Sequence, residues 1–286
     1  MIGREENYLM RYSMRTMALA AAILSLATTT SAGQLTIKGS DTMVILGQKW
    51  AEVYMQKTPA TKIQVTGGGS GTGIAALING TTDIAEASRP MKAEEIGQAE
   101  SRQKRKVKEI TVALDGLTVY VNKSSPVEAL SLPQLRKIFT GQITNWKEIG
   151  GPDAPIVLYG RENNSGTYVF FKEHVLQNDD YSTRMQTMPG TASVVNAVVK
   201  DKNGIGYGGA AYAEGLKALK IRKDDLAPAV EGNMETVQSG RYGLSRGLYF
   251  YTFDGGSPEL DQFVAWVLGP EGQQVVTDVG YFPVKK

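Results

Sequence analysis

The stretch that decides the fold is VLYGRENNSGTYVFF, Val157 to Phe171. The apolar run from Ile156 to Tyr159 predicts a short buried strand, and the apolar-rich residues after Thr167 predict a helix. The polar loop between them contains Arg161 and then Ser165-Gly166-Thr167. A strand that leads into a helix through Ser-Gly-Thr presents backbone N–H groups, two hydroxyls and the positive end of a helix dipole. Arg161 adds a planar fork of donors suited to an oxyanion, so this loop predicts half of an anion clamp.

Three earlier loops share this plan of a strand followed by small hydroxyl-bearing residues. The four loops are Ser40-Asp41-Thr42, Gly69-Ser70-Gly71-Thr72, Ser88-Arg89, and Arg161 with Ser165-Gly166-Thr167. Short apolar runs that alternate with helical segments predict an α/β fold with mainly parallel sheets. Because the C-terminal ends of parallel strands line one edge of a sheet, we expect these loops to collect around a ligand.

Each loop alone has a structural interpretation. A serine or threonine at a helix start is more often a plain cap than a ligand group, and Ser40 or Asp41 is the expected N-cap of the first helix. The run Gly67 to Gly73 can be a flexible turn, and Arg89 and Arg161 can be surface charges. The coincidence of four such loops, with two arginines, favours a binding site for a doubly charged tetrahedral anion.

Asp41 requires an argument of its own, because a carboxylate repels an anion unless the ligand has a proton to donate. A monohydrogen phosphate can donate that hydrogen bond, whereas a fully ionised sulfate cannot. The sequence leaves open whether Asp41 accepts a ligand proton or only caps its helix.

Two long segments predict crossings between two lobes. Val107 to Asn122 is long for one strand and contains Asp115-Gly116, where the chain can bend. Leu244 to Phe253 is the predicted return crossing. They divide the mature chain into a discontinuous lobe I, residues 33–115 plus 250–286, and a continuous lobe II, residues 116–249. A cleft between two such lobes is a usual place for a ligand.

The N-terminus predicts a signal peptide over residues 1–32. Arg11 and Arg15 precede the apolar run Met17 to Ala27, which is too short to span a bilayer, and Thr30-Ser31-Ala32 suits cleavage. The chain contains no cysteine, which excludes a lipid-modified N-terminal cysteine. We therefore expect an exported, periplasmic protein that is not a lipoprotein.

Composition excludes several kinds of site. A net charge of +2 implies no nucleic-acid surface, and the absence of cysteine with a single histidine, His174, argues against a metal site. The run Gly204-Ile-Gly-Tyr-Gly-Gly209 matches G-x-G-x-x-G but follows a predicted helix, so it is interpreted as a buried strand with a glycine turn. A serine hydrolase would need His174 as its base, and a position on the surface or core edge of a helix is the preferred interpretation of this residue.

A set of motifs extends over essentially the whole mature chain. These motifs are Gly39-Ser-Asp-Thr42, Gly67-Gly-Gly-Ser-Gly-Thr-Gly73, Asp83-Ile-Ala with Ser88-Arg89, Asp115-Gly116, Leu132-Pro-Gln-Leu with Ile138-Phe-Thr-Gly-Gln-Ile-Thr-Asn-Trp146, Gly160-Arg with Ser165-Gly-Thr167, and Ser245-Arg with Leu248-Tyr-Phe-Tyr251. With them the chain resembles the phosphate-binding proteins of bacterial phosphate ABC transporters. The stretch ending at Trp146 and the Arg-x-x-x-Ser-Gly-Thr spacing are the most specific parts of this resemblance.

The resemblance implies a two-lobed periplasmic solute-binding fold whose two hinge strands let the lobes close on a dehydrated phosphate. The phosphate ligands that it implies are Ser40, Asp41, Thr42, Ser70, Ser88, Arg89, Arg161, Ser165, Gly166 and Thr167. Some relatives have an aspartate in place of Arg89 as the proton acceptor, and the departure here makes Asp41 the candidate for that role. Gly243 and Gly247 stand where relatives often have proline, which implies a looser return hinge.

The expected function is the capture of inorganic phosphate and its delivery to the membrane permease of an ABC transporter. The protein is expected to be a monomer without catalytic activity, cofactor or metal. Molybdate, tungstate and sulfate are competing candidates for the bound anion. The residues also leave open a secreted phosphatase or esterase with Ser70 or Ser165 as nucleophile, and a sensory role with another partner.

Overall fold

The computed structural model describes residues 33–285. The predicted signal peptide and its cleavage site lie outside the described residues. Within residues 33–285, no helix has both the length and the apolar character needed to cross a bilayer.

Strands and helices alternate along most of the described chain, which confirms the predicted α/β class. The strands are β1 Gln34–Gly39, β2 Lys62–Thr66, β3 Ile84–Ala87, β4 Val107–Gly116, β5 Thr118–Val121, β6 Ala129–Ser131, β7 Val157–Arg161, β8 Gln186–Met188, β9 Gly204–Gly208, β10 Lys217–Ala218, β11 Lys220–Arg222 and β12 Ser245–Phe253. The helices are α1 Val44–Lys57, α2 Ser70–Ile78, α3 Ala93–Gln103, α4 Leu132–Phe139, α5 Gly166–His174, α6 Thr191–Lys200, α7 Met234–Gln238, α8 Pro258–Leu268 and α9 Pro270–Val279, with 3-10 helices at Trp146–Ile149 and Ala210–Tyr212.

Sheet 1 contains five strands in the order β2-β1-β3-β12-β4. Strand β1 pairs in parallel with β2 and β3, whereas β12 runs antiparallel to β3 and β4. Helices α1, α8 and α9 cover one face, where Trp50 and Phe263 pack on Phe250, and α2 and α3 cover the other. The C-terminal ends of β1, β2 and β3 therefore share one edge of this sheet. Lobe I means the elements packed on sheet 1.

Sheet 2 contains five strands in the order β10-β5-β9-β7-β8, and lobe II means the elements packed on it. Strand β7 is parallel to β8 and β9, and β5 is antiparallel to β9 and β10. Phe171 of α5 stacks on Tyr207 of β9 with ring centroids 4.1 Å apart, and Phe139 of α4 meets Tyr207 edge-on at 5.4 Å. This aromatic core fixes α5 on the sheet, so the N-terminus of α5 has a defined position.

The chain passes between the sheets at β4 and β12. Strand β4 ends at Gly116 in sheet 1, and β5 begins at Thr118 in sheet 2. A Cβ at Gly116 would lie 2.9 Å from Cγ2 of Val237, so close packing requires glycine here. Strand β12 is paired in sheet 1 along its whole length, beginning with Ser245 opposite Gly116. The predicted lobe limit at residue 250 falls inside this strand, and the lobe limits stay a prediction.

Candidate functional site

The four predicted loops lie at the ends of strands that face the boundary between the lobes. Three follow β1, β2 and β3 at one edge of sheet 1, and the fourth joins β7 of sheet 2 to α5. Helices α1 and α2 begin at this edge with no side-chain cap and no acidic residue in the first turn. The amides at the start of α1 and the Ser70 amide of α2 can therefore bind an anion, with the positive ends of both helix dipoles beside it, whereas the Gly71 and Thr72 amides already donate to the Asn164 and Gly69 carbonyls.

The first loop differs from its predicted geometry. Helix α1 begins at Val44 with Met43 as its N-cap, so the predicted cap at Ser40 or Asp41 is wrong. The chain makes a turn after β1, in which the Met43 amide donates to the Ser40 carbonyl at 2.9 Å, and this turn delays the helix. The side chains of Ser40 and Asp41 make tertiary contacts instead, which removes helix capping as the explanation of Asp41.

Three buried serines from the lobe I loops form a hydroxyl cluster. Ser40 Oγ donates to Ser88 Oγ at 3.0 Å, and Ser70 Oγ lies 3.4 Å from Ser88 Oγ. The Ser88 amide donates to Ser70 Oγ at 3.0 Å. Because a hydroxyl both donates and accepts, these groups can turn their O–H bonds towards an anion.

The start of α5 in lobe II lies directly against this cluster. A Cβ at Gly166 would lie 2.8 Å from Ser88 Oγ and closer still to Ser70 Oγ, so only glycine fits. Thr42 Oγ1 of lobe I and Thr167 Oγ1 of lobe II are 2.8 Å apart, and both side chains are buried. The two lobes therefore meet through their hydroxyl-bearing loops, and this arrangement is called the closed conformation below.

Ser165 caps α5, because its Oγ accepts a hydrogen bond from the Tyr168 amide at 3.3 Å. This is the capping role that the sequence allowed beside the ligand role. A capping hydroxyl uses its lone pair, so its O–H can still donate to a ligand.

The glycine loop before α2 is tied to lobe II. Gly68 and Gly69 have φ values of 116° and 90°, in the region that favours glycine. The Gly71 amide donates to the Asn164 carbonyl at 2.9 Å, and Asn164 Nδ2 donates to the Gly68 carbonyl at 3.0 Å. These bonds give the loop one defined path in the closed conformation. Asn164 was not among the site residues predicted from the sequence, although it directly precedes Ser165.

Arg161 and Asp41 form an ion pair between the lobes. Arg161 Nη2 lies 2.6 Å from Asp41 Oδ2, and the two side chains are 1% and 20% exposed. Arg161 also donates to Thr191 Oγ1 at 2.9 Å and to Glu162 Oε2 at 3.2 Å. Asp41 Oδ1 accepts from the Gly68 amide at 2.8 Å. Part of the guanidinium fork remains unused by the described residues, so Arg161 can contact an anion while it holds Asp41.

Arg89 points elsewhere. Its Nη1 and Nη2 donate to the two carboxylate oxygens of Glu95 at 2.8 and 2.7 Å, and Nη1 also donates to the Pro90 carbonyl. Burial acts to raise the pKa of Glu95, but hydrogen bonds from Arg89 and the Lys92 amide outweigh it and lower this pKa. The structure therefore brings the other predicted ligand residues together and directs the Arg89 guanidinium to the start of α3. Its role as a ligand stays a prediction.

Two further contacts of the site come from lobe II. Thr191, which holds Arg161, begins α6 after Gly190 and a strand, so the strand–loop–helix signal could have identified it. Tyr212 OH donates to the Asp41 carbonyl at 2.8 Å. Burial, and then the charge of Asp41, raise the pKa of Tyr212, so its hydroxyl stays protonated and keeps donating. No local motif marks Tyr212, since only the tertiary fold brings its 3-10 helix to Asp41.

The other motifs do not form a second centre. Gly204–Gly208 is the fully buried strand β9, which confirms the interpretation of the G-x-G-x-x-G run. The His174 ring stacks on Phe170 at 4.0 Å, and its Nδ1 lies 3.0 Å from the Phe170 carbonyl. His174 has no hydrogen bond to a serine in the described chain. Between residues 33 and 285 there is also no cluster of three or more potential metal ligands.

Comparison with known proteins identifies the family. Residues 25–271 match the PBP superfamily domain. The chain is 36% identical over 269 residues to the phosphate-binding protein PstS of Pseudomonas aeruginosa, which covers 88% of this chain and 83% of that protein. The chain belongs to the PstS family. A second PstS relative, from Staphylococcus haemolyticus, is 34% identical over 259 residues, with 87% and 80% of the two chains covered.

Solved structures similar to this PstS family member have the same two-lobed fold. One, from Clostridium perfringens, is described as a phosphate ABC transporter substrate-binding protein with bound phosphate. It has a TM-score of 0.81 and 31% identity, with 88% of this chain and 100% of that chain covered. An ABC-type phosphate transport receptor from Vibrio cholerae has a TM-score of 0.70 and 27% identity, with 87% and 100% covered. These structures confirm the predicted two-lobed architecture.

Proposed function

We propose that this protein captures inorganic phosphate between its lobes and delivers it to the permease of a membrane ABC transporter. The observation that carries the proposal is the buried cluster of hydroxyls, helix N-termini and one arginine to which both lobes contribute. PstS relatives are named for phosphate binding, and one similar protein was solved with phosphate. On this basis we infer a binding protein without catalytic activity.

Both lobes would supply hydrogen-bond donors to the phosphate. In lobe I, hydroxyls of Ser40, Thr42, Ser70 and Ser88 would donate to the phosphate oxygens together with the first amides of α1 and the Ser70 amide that begins α2. In lobe II, the donors would be Arg161 and the start of α5, which are Ser165, Gly166 and Thr167. Because one anion would bond to both lobes at once, binding would favour the closed conformation.

Asp41 would select phosphate over sulfate. Its carboxylate forms an ion pair with Arg161 and accepts a hydrogen bond from the Gly68 amide. The remaining lone pairs of the carboxylate can accept a hydrogen bond from a protonated oxygen of the ligand. Monohydrogen phosphate would donate that bond, whereas sulfate would place an unprotonated oxygen against a negative charge. We propose Arg89 as a group that positions the Ser88 loop through Glu95, since its Nη1 and Nη2 both donate to that carboxylate.

The proposal also includes the limits of the two lobes and the export of the protein. We propose two lobes, residues 33–115 plus 245–286 and residues 116–244, because β12 pairs in sheet 1 from Ser245 onwards. We propose that residues 1–32 direct export to the periplasm and that the mature protein is unlipidated, since the chain has no cysteine to carry a lipid. We also propose that it acts as a monomer.

Isothermal titration of residues 33–286 with phosphate, sulfate, molybdate and tungstate at neutral pH tests this function. We expect phosphate to bind tightly and sulfate more weakly by roughly a hundredfold or more, because sulfate leaves Asp41 without a donor. Sulfate or molybdate binding as tight as phosphate would overturn the proposal. A p-nitrophenyl phosphate assay should show no turnover, and turnover that Ser165→Ala abolishes would instead establish an esterase or phosphatase.

A further inference from the structure

A buried ion pair stands where both crossing strands leave sheet 1. Asp115 is the second-last residue of β4, and Arg246 lies directly opposite it near the start of β12. Arg246 Nε and Nη2 donate to Asp115 Oδ2 at 2.9 and 2.7 Å. The side chains are 3% and 0% exposed, so the pair is enclosed at the junction of the lobes.

This pair touches both lobes. On the lobe I side, Arg246 Nη1 donates to the Ser88 carbonyl at 3.1 Å, so it holds the backbone of a proposed phosphate loop. On the lobe II side, the Arg246 guanidinium carbon lies 5.3 Å from the centre of the Phe170 ring, over α5. The Ala210 amide of lobe II donates to Asp115 Oδ1 at 2.9 Å.

The contacts of the pair continue to the phosphate site on each side. Ala210 begins the 3-10 helix whose Tyr212 donates to the Asp41 carbonyl. Phe170 lies on α5, whose first residues meet the hydroxyl cluster of lobe I. The hinge pair is therefore connected to the ligand loops through short, packed elements.

Arg246 is bound at the hinge through all three nitrogens. Its Nε and Nη2 donate to Asp115, and its Nη1 donates to the Ser88 carbonyl. Its charge is also neutralised at close range by Asp115. The pair therefore has a positioning role, because Arg246 contacts both the Ser88 loop and Phe170 of α5.

We propose that Asp115 and Arg246 form a hinge latch that stabilises the closed conformation and thereby slows phosphate release. The slower release of phosphate rests on the proposed function. The stabilisation of the closed conformation does not, because it is expected without any ligand. The apparent affinity changes in proportion to the fraction of protein in the closed, binding-competent conformation. The lobe II contacts of the latch require the lobes to be together, so opening breaks or stretches them.

The test is a double variant, Asp115→Asn with Arg246→Met, which removes both charges together. Breaking one partner alone would leave a buried unpaired charge that can unfold the protein, whereas replacing both is often tolerated. The control is Arg136→Met with Asp179→Asn, which removes the same two charges from a partly exposed arginine–aspartate pair whose members both lie within lobe II. Unfolding temperatures without phosphate identify any general loss of stability.

Closure is read from dyes attached to cysteines introduced at Gln56 and Glu173, in a chain that has no cysteine of its own. These exposed positions lie near the outer ends of α1 and α5, whose N-termini meet at the site. Energy transfer between the dyes is measured with and without inorganic phosphate, and phosphate release is followed by stopped flow. We expect the latch variant to be shifted towards longer dye distances without ligand and to release phosphate roughly tenfold faster, from the loss of charge-assisted bonds.

The outcomes separate the two proposals. If the latch variant and the control have the same ligand-free dye distances as the unsubstituted protein, the latch is refuted, whatever the ligand. If phosphate neither binds nor shortens the dye distance in the unsubstituted protein, the proposed function fails, while the ligand-free distances still decide the latch. Faster release with unchanged dye distances would also refute the latch, since its effect must pass through closure.

Discussion

Replacing Arg161 by alanine removes the only cation that the structure places against the carboxylates of Asp41 and Glu162 within the described residues. The guanidinium is 1% exposed, so its charge is shielded from bulk water in the closed conformation. Truncation of one partner in such a buried charged contact costs ~2–5 kcal/mol of binding, or roughly 30- to 5000-fold in Kd. Asp41, which is proposed to face the anion, would then also lose its cation, which places the expected loss in the upper part of that range.

Titration calorimetry of phosphate into the mature protein and into Arg161→Ala measures this loss, with unfolding curves of both proteins as the check on folding. The matched control is Arg89→Ala. Its guanidinium is bound to Glu95, so we expect less than about a tenfold change in Kd, from movement of the Ser88 loop alone. A Kd for Arg161→Ala within about threefold of the unsubstituted protein would refute the reasoning. An equally large loss in both variants would instead restore the predicted ligand role of Arg89.

The same geometry leads to three further predictions. Gly166→Ala places a methyl group against Ser70 Oγ and should weaken phosphate binding by more than about tenfold in calorimetry with little change in unfolding temperature; unchanged affinity would contradict the close approach. Tyr212→Phe removes the hydrogen bond to the Asp41 carbonyl and should cost ~0.5–1.5 kcal/mol of binding, whereas no measurable change would show that Asp41 is held without it. Glu86 lies in β3, is fully buried, and neither carboxylate oxygen has a hydrogen-bond partner in the described residues. Burial raises the pKa of Glu86 well above its ordinary value, so the stability that this group contributes is complete below its unfolded pKa and is lost as pH rises through its folded pKa. Between about pH 5 and pH 8, the unfolding free energy of Glu86→Gln should therefore fall less steeply with pH than that of the unsubstituted protein, by up to about 1.4 kcal/mol per pH unit. Parallel profiles of the two proteins would contradict a protonated Glu86.

Local chemistry made much of the architecture predictable. Strand β7, the Arg161 loop and the start of α5 were all expected, because an apolar run followed by Ser-Gly-Thr has few other conformations. The ends of β1, β2 and β3 meet as expected, because parallel strands place their C-termini at one edge.

Tertiary context decided the details that local patterns leave open. The turn that moves the start of α1 past Asp41 depends on contacts of Ser40 with Glu86 and Ser88 from another strand. The pairing of all of β12 in sheet 1 depends on β4, far away in the chain, so the predicted limit at residue 250 had no local signal. Sequence spacing cannot show which distant strand supplies a partner.

The sequence by itself determined that four hydroxyl-bearing loops, two with an arginine, end strands of an α/β chain, and through its motifs it indicated the family. Only the tertiary structure decided where the long side chains go. Arg161 reaches Asp41 of the other lobe, Arg89 turns to Glu95, and Arg246, which carried no predicted role, joins Asp115 at the hinge. The physical reason is that a buried guanidinium needs a carboxylate or carbonyl partner, and the fold alone determines which partner lies within reach.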